Sequence, residues 1–335
     1  LCEGDSVCAP EGLYPGPCVE EHRAGLDDAL RQRSVYTWDD RCLLVRAEHD
    51  FDGDGLVDLS MSYTHDERRL LIRESRVHDP DGTEVWTYSY DESGNQVLVQ
   101  WDREDDGVID YRVEYDRNER GDVLEERAYT GDDLSGWTVT TYDGEGGVVT
   151  VEEHQHFCID WTVFTGETVS RRTTYTNDGA GRVTVEVDGV ECLIADGVID
   201  VRTERIFDES GNLMVNNVDG TAVTPGPPDG LLDACTRYSY DEHGWLVRIE
   251  WDGGGGLPSG GHALCDGSVD SISVRVHDDE GREVRIENDT DADGVADEVL
   301  SYEYDPCGNR TEWSSWRESE DRTVWTHTFG YDCWE

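Results

Sequence analysis

Large and polar side chains alternate along most of this chain. Trp86, Tyr88 and Tyr90 precede Asp91 with Thr87 and Ser89 between them. Tyr111, Val113 and Tyr115 precede Asp116 in the same way, Leu300, Tyr302 and Tyr304 precede Asp305, and Trp325, His327, Phe329 and Tyr331 precede Asp332. A period of two puts these side chains on one face of a β-strand. Each run ends at an aspartate followed by a short Gly- and Asn-rich stretch, as in Glu92, Ser93, Gly94 and Asn95. That composition supplies a turn with a positive-φ position. A second alternating run follows, as at 96–101 and 123–129, so the predicted element is a β-hairpin.

The hairpin recurs. YSYDESGN at 88–95 returns as YSYDEHGW at 238–245 and YEYDPCGN at 302–309, with weaker copies between. Taking the aspartate as anchor gives positions 39, 66, 91, 116, 143, 178, 208, 241, 278, 305 and 332, eleven units spaced 25 to 37 residues apart. Residues 35–335 therefore predict an all-β, antiparallel hairpin repeat array. A meander of about 22 strands accumulates twist and is expected to coil, solenoid-like, rather than lie flat. Residues 1–34 are expected to form a Cys-rich N-terminal cap, with a short helical pattern over 25–33 formed by Leu26, Ala29 and Leu30. Two insertions, at 224–230 and 252–261, interrupt the array; the first is Pro-rich and stiff, the second Gly-rich and flexible.

The YxYDxxGN strings resemble the YD repeats of RHS-type proteins, a group that includes teneurin-like surface proteins, and the resemblance spans about residues 35–335. It implies a spiralling strip of hairpins, closed in some members into a hollow shell. It also implies an alternative function, the delivery shell of a toxin-like system.

Composition narrows the function classes. Asp and Glu number 77 against 27 basic residues, giving a net charge of −50. All the basic residues are Arg. Such a field repels phosphate backbones, which argues against a nucleic-acid partner. No run approaches the ~18 apolar residues of a membrane-spanning helix. The ten cysteines are even in number, scattered and free of C-x-x-C pairs, which predicts disulfides and an extracellular or cell-surface location. Leu1 in place of Met reads as a leader removed or left out of the sequence. Neighbouring repeats would pair Cys158 with Cys192, Cys235 with Cys265 and Cys307 with Cys333. Cys2, Cys8, Cys18 and Cys42 would then join the cap to the first hairpin.

The strongest chemical signal lies in acidic loops. Residues 50–58 and 289–297 both read D-x-D-x-D-G-x-x-D, and 102–110 matches with Glu104 at the third position. The candidate ligands are Asp50, Asp52, Asp54 and Asp58; Asp102, Glu104, Asp106 and Asp110; and Asp289, Asp291, Asp293 and Asp297. Ca²⁺ takes six to eight hard oxygen ligands, and such spacing, with Gly at the bend, can supply them. The twelfth position holds Met61, Val113 or Leu300 rather than the bidentate Glu of a helix–loop–helix calcium site. The shorter D-G-x-x-D occurs six times, where residue frequencies give about 0.6. Its other copies, Asp196 and Asp200, Asp229 and Asp233, and Asp266 and Asp270, are weaker candidates without leading carboxylates. Asp79 and Asp81 form a degenerate copy.

Other chemistry is thin. His154 and His156 form an H-x-H pair without an evident third ligand. Neither G-x-S-x-G nor H-E-x-x-H occurs, so no enzyme is predicted. The tryptophans could stack on a glycan but fall at core positions of strands. The expected function is a secreted or cell-surface, calcium-stabilised structural or adhesive protein. The C-terminal run ending at Asp332 is expected to be an unpaired edge strand that docks head-to-tail on another copy to build a filament or surface layer. A glycan-binding module is the remaining alternative.

Overall fold

The computed structural model describes residues 16–24, 29–78, 82–155, 169–179, 181–189, 195–220, 228–253, 265–318 and 322–331. Every extended element is a β-strand, and no α-helix occurs among the described residues. The chain divides into two compact units. The first comprises Leu1–Arg112, Val276–Glu287 and Ala296–Glu335, the second Val113–Arg275 and Asn288–Val295.

The first unit is built mainly on β1 (Val19–Ala24), β2 (Ala29–Trp38), β3 (Leu44–Asp50), β4 (Leu59–His65), β5 (Leu71–His78), β6 (Gly82–Tyr90) and β7 (Gln96–Asp102). The second takes most of β8 (Tyr111–Arg117), then β9 (Val123–Thr130), β10 (Asp133–Tyr142), β11 (Val148–Gln155), β12 (Arg171–Asn177), β13 (Arg182–Asp188), β14 (Val201–Phe207), β15 (Leu213–Asp219), β16 (Ala234–Tyr240), β17 (Leu246–Asp252) and most of β18 (Ser271–His277). The chain ends in β19 (Glu283–Asp289), β20 (Glu298–Tyr304), β21 (Arg310–Arg317) and β22 (Arg322–Gly330), the last three in the first unit.

Pairing is antiparallel throughout. In the second unit β9 to β18 follow one another in chain order. In the first unit the order is β20, β21, β22, β1, then β2 to β7. The first strand thus lies beside the last, in register from Val19 opposite Gly330 to Ala24 opposite Trp325. The Cys18 N–H extends this seam by donating to the Gly330 carbonyl at 2.6 Å.

Three expectations are corrected here. The meander has the predicted hairpins, but pairing of its first and last strands replaces a solenoid-like array with free ends. The C-terminal run is not an unpaired edge, because β22 has β21 on one side and β1 on the other. The helical pattern over 25–33 yields at 29–33 to β2, where Gln32 stands opposite His22. Pairing with β1 on one side and β3 on the other satisfies the backbone of β2, whereas an isolated helix of fewer than ~12 residues is marginal in water. The boundary at residue 34 falls inside β2, and residues 1–15 of the expected cap lie outside the described ones.

Nine of the eleven anchors close their turn the same way; Asp116 does not, and Asp332 lies outside the described residues. The Asp91 N–H donates to the Asn95 carbonyl at 2.9 Å, and Asp91 Oδ1 accepts the Asn95 N–H at 2.8 Å. The Asn95 side-chain amide donates to Asp91 Oδ2 at 2.9 Å, and this bond, then the backbone N–H groups, hold the Asp91 carboxyl below its ordinary pKa. Asp208 with Asn212 and Asp305 with Asn309 repeat the pattern. The fourth unit turns at Asn118, not at Asp116: Asn118 Oδ1 accepts the N–H groups of Arg120 and Asp122, and its amide donates to Asp122 Oδ2. The two side chains have exchanged roles, so reading for aspartate misplaces this anchor by two residues. The turn's left-handed position is usually Gly, as at Gly94 (φ 91°), but holds Cys42 (φ 63°) and Arg69 (φ 70°) in the first two units.

The buried apolar side chains are small: Ala47, Val85, Val99, Val113, Val185, Val187, Ile286 and Val299. The predicted aromatic rows are half-buried and pack on each other across strands. Trp86 stacks on Trp101 at 5.4 Å, Trp137 on His154 at 4.3 Å and Trp313 on His327 at 4.5 Å. The Cys235–Cys265 disulfide forms as expected, and no described cysteine is free. Cys18, Cys42 and Cys307 are also disulfide-bonded. The expected pairs Cys158–Cys192 and Cys307–Cys333 each include a residue outside the described ones.

Candidate metal centre

Opposite the anchor turns, six loops share one hydrogen-bond plan. Each begins at an aspartate that ends a strand: Asp50, Asp102, Asp188, Asp219, Asp252 and Asp289. These carboxylates are only 7, 7, 3, 7, 1 and 8 % exposed. Each accepts the N–H of the motif glycine through one oxygen, at 2.8 Å for Gly55 and Gly107, 2.9 Å for Gly294 and 3.0 Å for Gly197, Gly230 and Gly267. The six glycines have φ between 87° and 93°, a conformation costly for a residue with a Cβ.

The rest of each loop is equally regular. The aspartate before the glycine accepts the N–H two residues on, as Asp54 does from Leu56 at 2.7 Å and Asp293 from Val295 at 2.8 Å. In five loops the last aspartate accepts the N–H that follows the leading one: Asp58 from Phe51, Asp110 from Arg103, Asp200 from Gly189, Asp233 from Gly220 and Asp270 from Gly253. In the three full motifs the fourth position also has positive φ, at Gly53, Asp105 and Ala292.

The weaker candidates are therefore corrected in one respect. Asp196 and Asp200, Asp229 and Asp233, and Asp266 and Asp270 do have leading carboxylates, supplied by Asp188, Asp219 and Asp252 from across an insertion. The signal was present in the spacing. The leading aspartate lies eleven residues after anchors 39, 91, 208, 241 and 278, and ten after 178.

Convergence is selective. Ligand oxygens of Asp50, Asp52 and Asp54 lie within 4.8 Å of one another, as do those of Asp289, Asp291 and Asp297; among the described residues these are the groups of three that do so. Asp58 and Asp293 belong to their loops but not to those groups. Asp102, Glu104, Asp106 and Asp110 share the backbone plan without a comparable convergence. Burial pushes the Asp50 carboxyl up, but the N–H groups of Gly55 and Gly53 outweigh it and the pKa lies below its ordinary value. The group is thus ionised at neutral pH. Leu56, Val108, Val198, Leu231 and Val295, each following a motif glycine, are exposed, so the loops project into solvent where a hydrated cation can reach them. Clustered carboxylate oxygens suit a hard divalent cation.

Other candidates place differently. His154 is 8 % exposed and stacked on Trp137; His156, Asp79 and Asp81 lie outside the described residues. Trp86 has Trp101 on one face and the Arg76 guanidinium 5.8 Å from its ring centroid, while Arg103 sits 6.0 Å from that of Trp101. These two rings thus pack against one another and against arginine side chains of the same chain.

No protein-family model matches the chain, and no curated protein matches it. Among solved structures, the crystal structure of TcdB2-TccC3 is similar over 94% of this chain and 19% of its own, at 11% identity and a TM-score of 0.32. A porin-like protein from Bacteroides uniformis is similar over 82% of this chain and 95% of its own, at 10% identity and a TM-score of 0.31. A porin-like protein from Bacteroides vulgatus covers 94% and 98%, at 10% identity and a TM-score of 0.25. The chain thus spans about a fifth of the first of these proteins, and at these scores the likenesses carry no argument about function.

Proposed function

We propose that this chain is an extracellular or cell-surface structural protein, adhesive rather than enzymatic, whose acidic loops bind Ca²⁺. The observation that carries the reading is the convergence of Asp50, Asp52 and Asp54 within 4.8 Å in an exposed loop whose backbone is already held in place. Three carboxylates at that separation repel one another in a chain of net charge −50, and a divalent cation relieves the repulsion while lending its binding free energy to the fold. The Cys235–Cys265 disulfide and the absence of free thiols among described residues support an oxidising compartment. The occupied tryptophan faces favour a structural role over glycan binding.

Isothermal titration of chelator-treated protein with Ca²⁺ tests the proposal. Saturable binding is expected, with two sites lost in an Asp52→Asn/Asp291→Asn variant. Absence of saturable binding to the folded wild type overturns it.

A further inference from the structure

The pairing of β1 with β22 joins the first and last strands of the first unit, and two histidines meet within it. His22 stands directly opposite His327, and their rings stack with centroids 4.0 Å apart and planes at 21°. Trp313, opposite His327 on β21, also stacks on His327 at 4.5 Å, and Trp325 tilts against His22 at 4.6 Å. A column of rings therefore crosses β21, β22 and β1. In the stack of Trp86 on Trp101 neither ring titrates, and in that of Trp137 on His154 one does. Here two titratable rings face each other across the joint.

The charged neighbours are engaged elsewhere. On β1, Glu20 accepts the Tyr36 hydroxyl at 2.7 Å, and Glu21 pairs with Arg23 at 2.8 Å and lies 3.5 Å from Arg33 of β2. β2 places the neutral Gln32 opposite His22, between Arg31 and Arg33. On β21, Glu312 stands opposite Thr328 and so on the other face of the sheet from Trp313 and His327. On β22, Trp325 and Phe329 share the side of His327, and the Tyr331 hydroxyl beyond them donates to the Arg310 carbonyl at 3.1 Å. Burial, and then His22, push the His327 imidazole down to about 4.

One protonated ring can rest against the tryptophan faces. A second proton sets two like charges 4.0 Å apart in a half-buried stack, where solvent screens them poorly. The joint also parts at low cost. β1 keeps β2 and β22 keeps β21 when it opens, so a single row of pairing is given up. A cavity of about 310 Å³, lined by Cys18, Val19, Glu21, Thr328, Phe329 and Gly330, lies along that row.

We propose that this joint is an acid-sensitive closure: protonation of both His22 and His327 parts β1 from β22, leaves each on its other neighbour, and uncovers two strand edges able to accept another strand.

Hydrogen exchange of the full chain, read by mass spectrometry and corrected for the intrinsic pH dependence of exchange, tests the proposal. Between pH 7 and 4.5 the protection of Val19–Ala24 and Arg322–Gly330 is expected to fall about tenfold. Strands β6 and β7, which contain no histidine, should keep theirs. A His22→Phe/His327→Phe variant retains rings in the column without their charge and should keep the joint protected at both pH values. A wild-type joint no more sensitive to pH than β6 and β7 overturns the proposal, whether or not the variant folds. A fall that persists in the folded variant overturns it too.

Discussion

Replacing Asp52 and Asp291 together by Asn separates an ion site from a hydrogen-bonded turn. Neither residue is one of the buried leading aspartates that hold the glycine N–H, so the scaffold of each loop survives. Each is a member of a converging group, so each variant loop loses one charged ligand. For an extracellular module with a Kd of about 10⁻⁴ M, about 1 mM Ca²⁺ stabilises the native state by roughly 1.4 kcal/mol per ion. Two loops give about 3 kcal/mol. A chain of 335 residues unfolds with an entropy near 0.7 kcal/mol/K. If it melts in one transition, Ca²⁺ should raise the Tm of the wild type by about 4 °C over chelator. The double variant should lose most of that rise. In chelator the sign reverses, because removing two like charges relieves repulsion and the variant should melt at or above the wild type. Differential scanning calorimetry in matched Ca²⁺ and EGTA buffers measures all four values. A wild-type Tm indifferent to EGTA, or a variant shifted equally in both buffers, refutes the reasoning.

Three further outcomes are expected. Burial, and then the neighbouring His22, push the His327 imidazole down to about 4. The unfolded state then binds more protons between that value and about 6.5. Stability contributed by neutral His327 is full above that window and is lost as pH falls through it. The ring is half-buried between His22 and Trp313, and with solvent screening at its open edge the effect is discounted to about 1–2 kcal/mol; subtracting the urea midpoints of His327→Phe from those of the wild type between pH 4 and 7 should show it, and a flat difference rejects it. At Gly220 (φ +97°) a Cβ would run into the Asp200 carbonyl oxygen, whereas at Gly230 (φ +87°) it would meet nothing within 4 Å. Gly230→Ala should therefore cost about 1–2 kcal/mol from backbone conformation alone and Gly220→Ala distinctly more in urea denaturation; equal costs reject the close approach. Removing the Cys235–Cys265 bond, whose cysteines are 30 residues apart, should lower stability by roughly 3–4 kcal/mol on the chain-entropy model, and a change below 1 kcal/mol (about the scatter of surface substitutions) would show the braced segment already constrained.

The hairpins were legible because alternation with an aspartate stop is a local signal: Trp86, Tyr88 and Tyr90 specify face and end within one strand. The pairing of Val19–Ala24 with Arg322–Gly330 was not, because it joins residues some 300 positions apart and neither segment carries a pattern that names the other. Alternation at Val324 to Phe329 suits an edge strand and a paired strand equally. The span 25–33 misled because three apolar residues at helical spacing are a weak pattern against a sheet that offers β2 partners on both sides. In the loops, the full motifs stand out in the sequence because their aspartates and glycine are contiguous. Asp188, Asp219 and Asp252 stand apart from any contiguous motif, although the interval from the anchor points to each of them.

That interval also explains how the array tolerates insertions in its acidic loops. The leading aspartate grips its glycine five residues on in the loops at Asp50, Asp102 and Asp289, but nine on from Asp188, eleven from Asp219 and fifteen from Asp252. Loop-closure entropy rises only with the logarithm of length, so tripling the span costs about 1 kcal/mol. Hydrogen bonds from backbone N–H groups to a buried carboxylate contribute about 1.5–3 kcal/mol each, enough to offset that cost and hold the D-G-x-x-D geometry against the extra chain. Register is protected at the same time: the N–H of the closing aspartate donates to the carbonyl before the leading one in short and long loops alike, at 2.8 Å from Asp58 to His49 and 2.8 Å from Asp270 to Trp251. The strands beyond the loop therefore resume pairing at the same point whatever lies between. An aspartate that starts as a turn residue thus becomes the element that lets segments of different length be inserted in the loop while the backbone of the D-G-x-x-D turn keeps its hydrogen bonds.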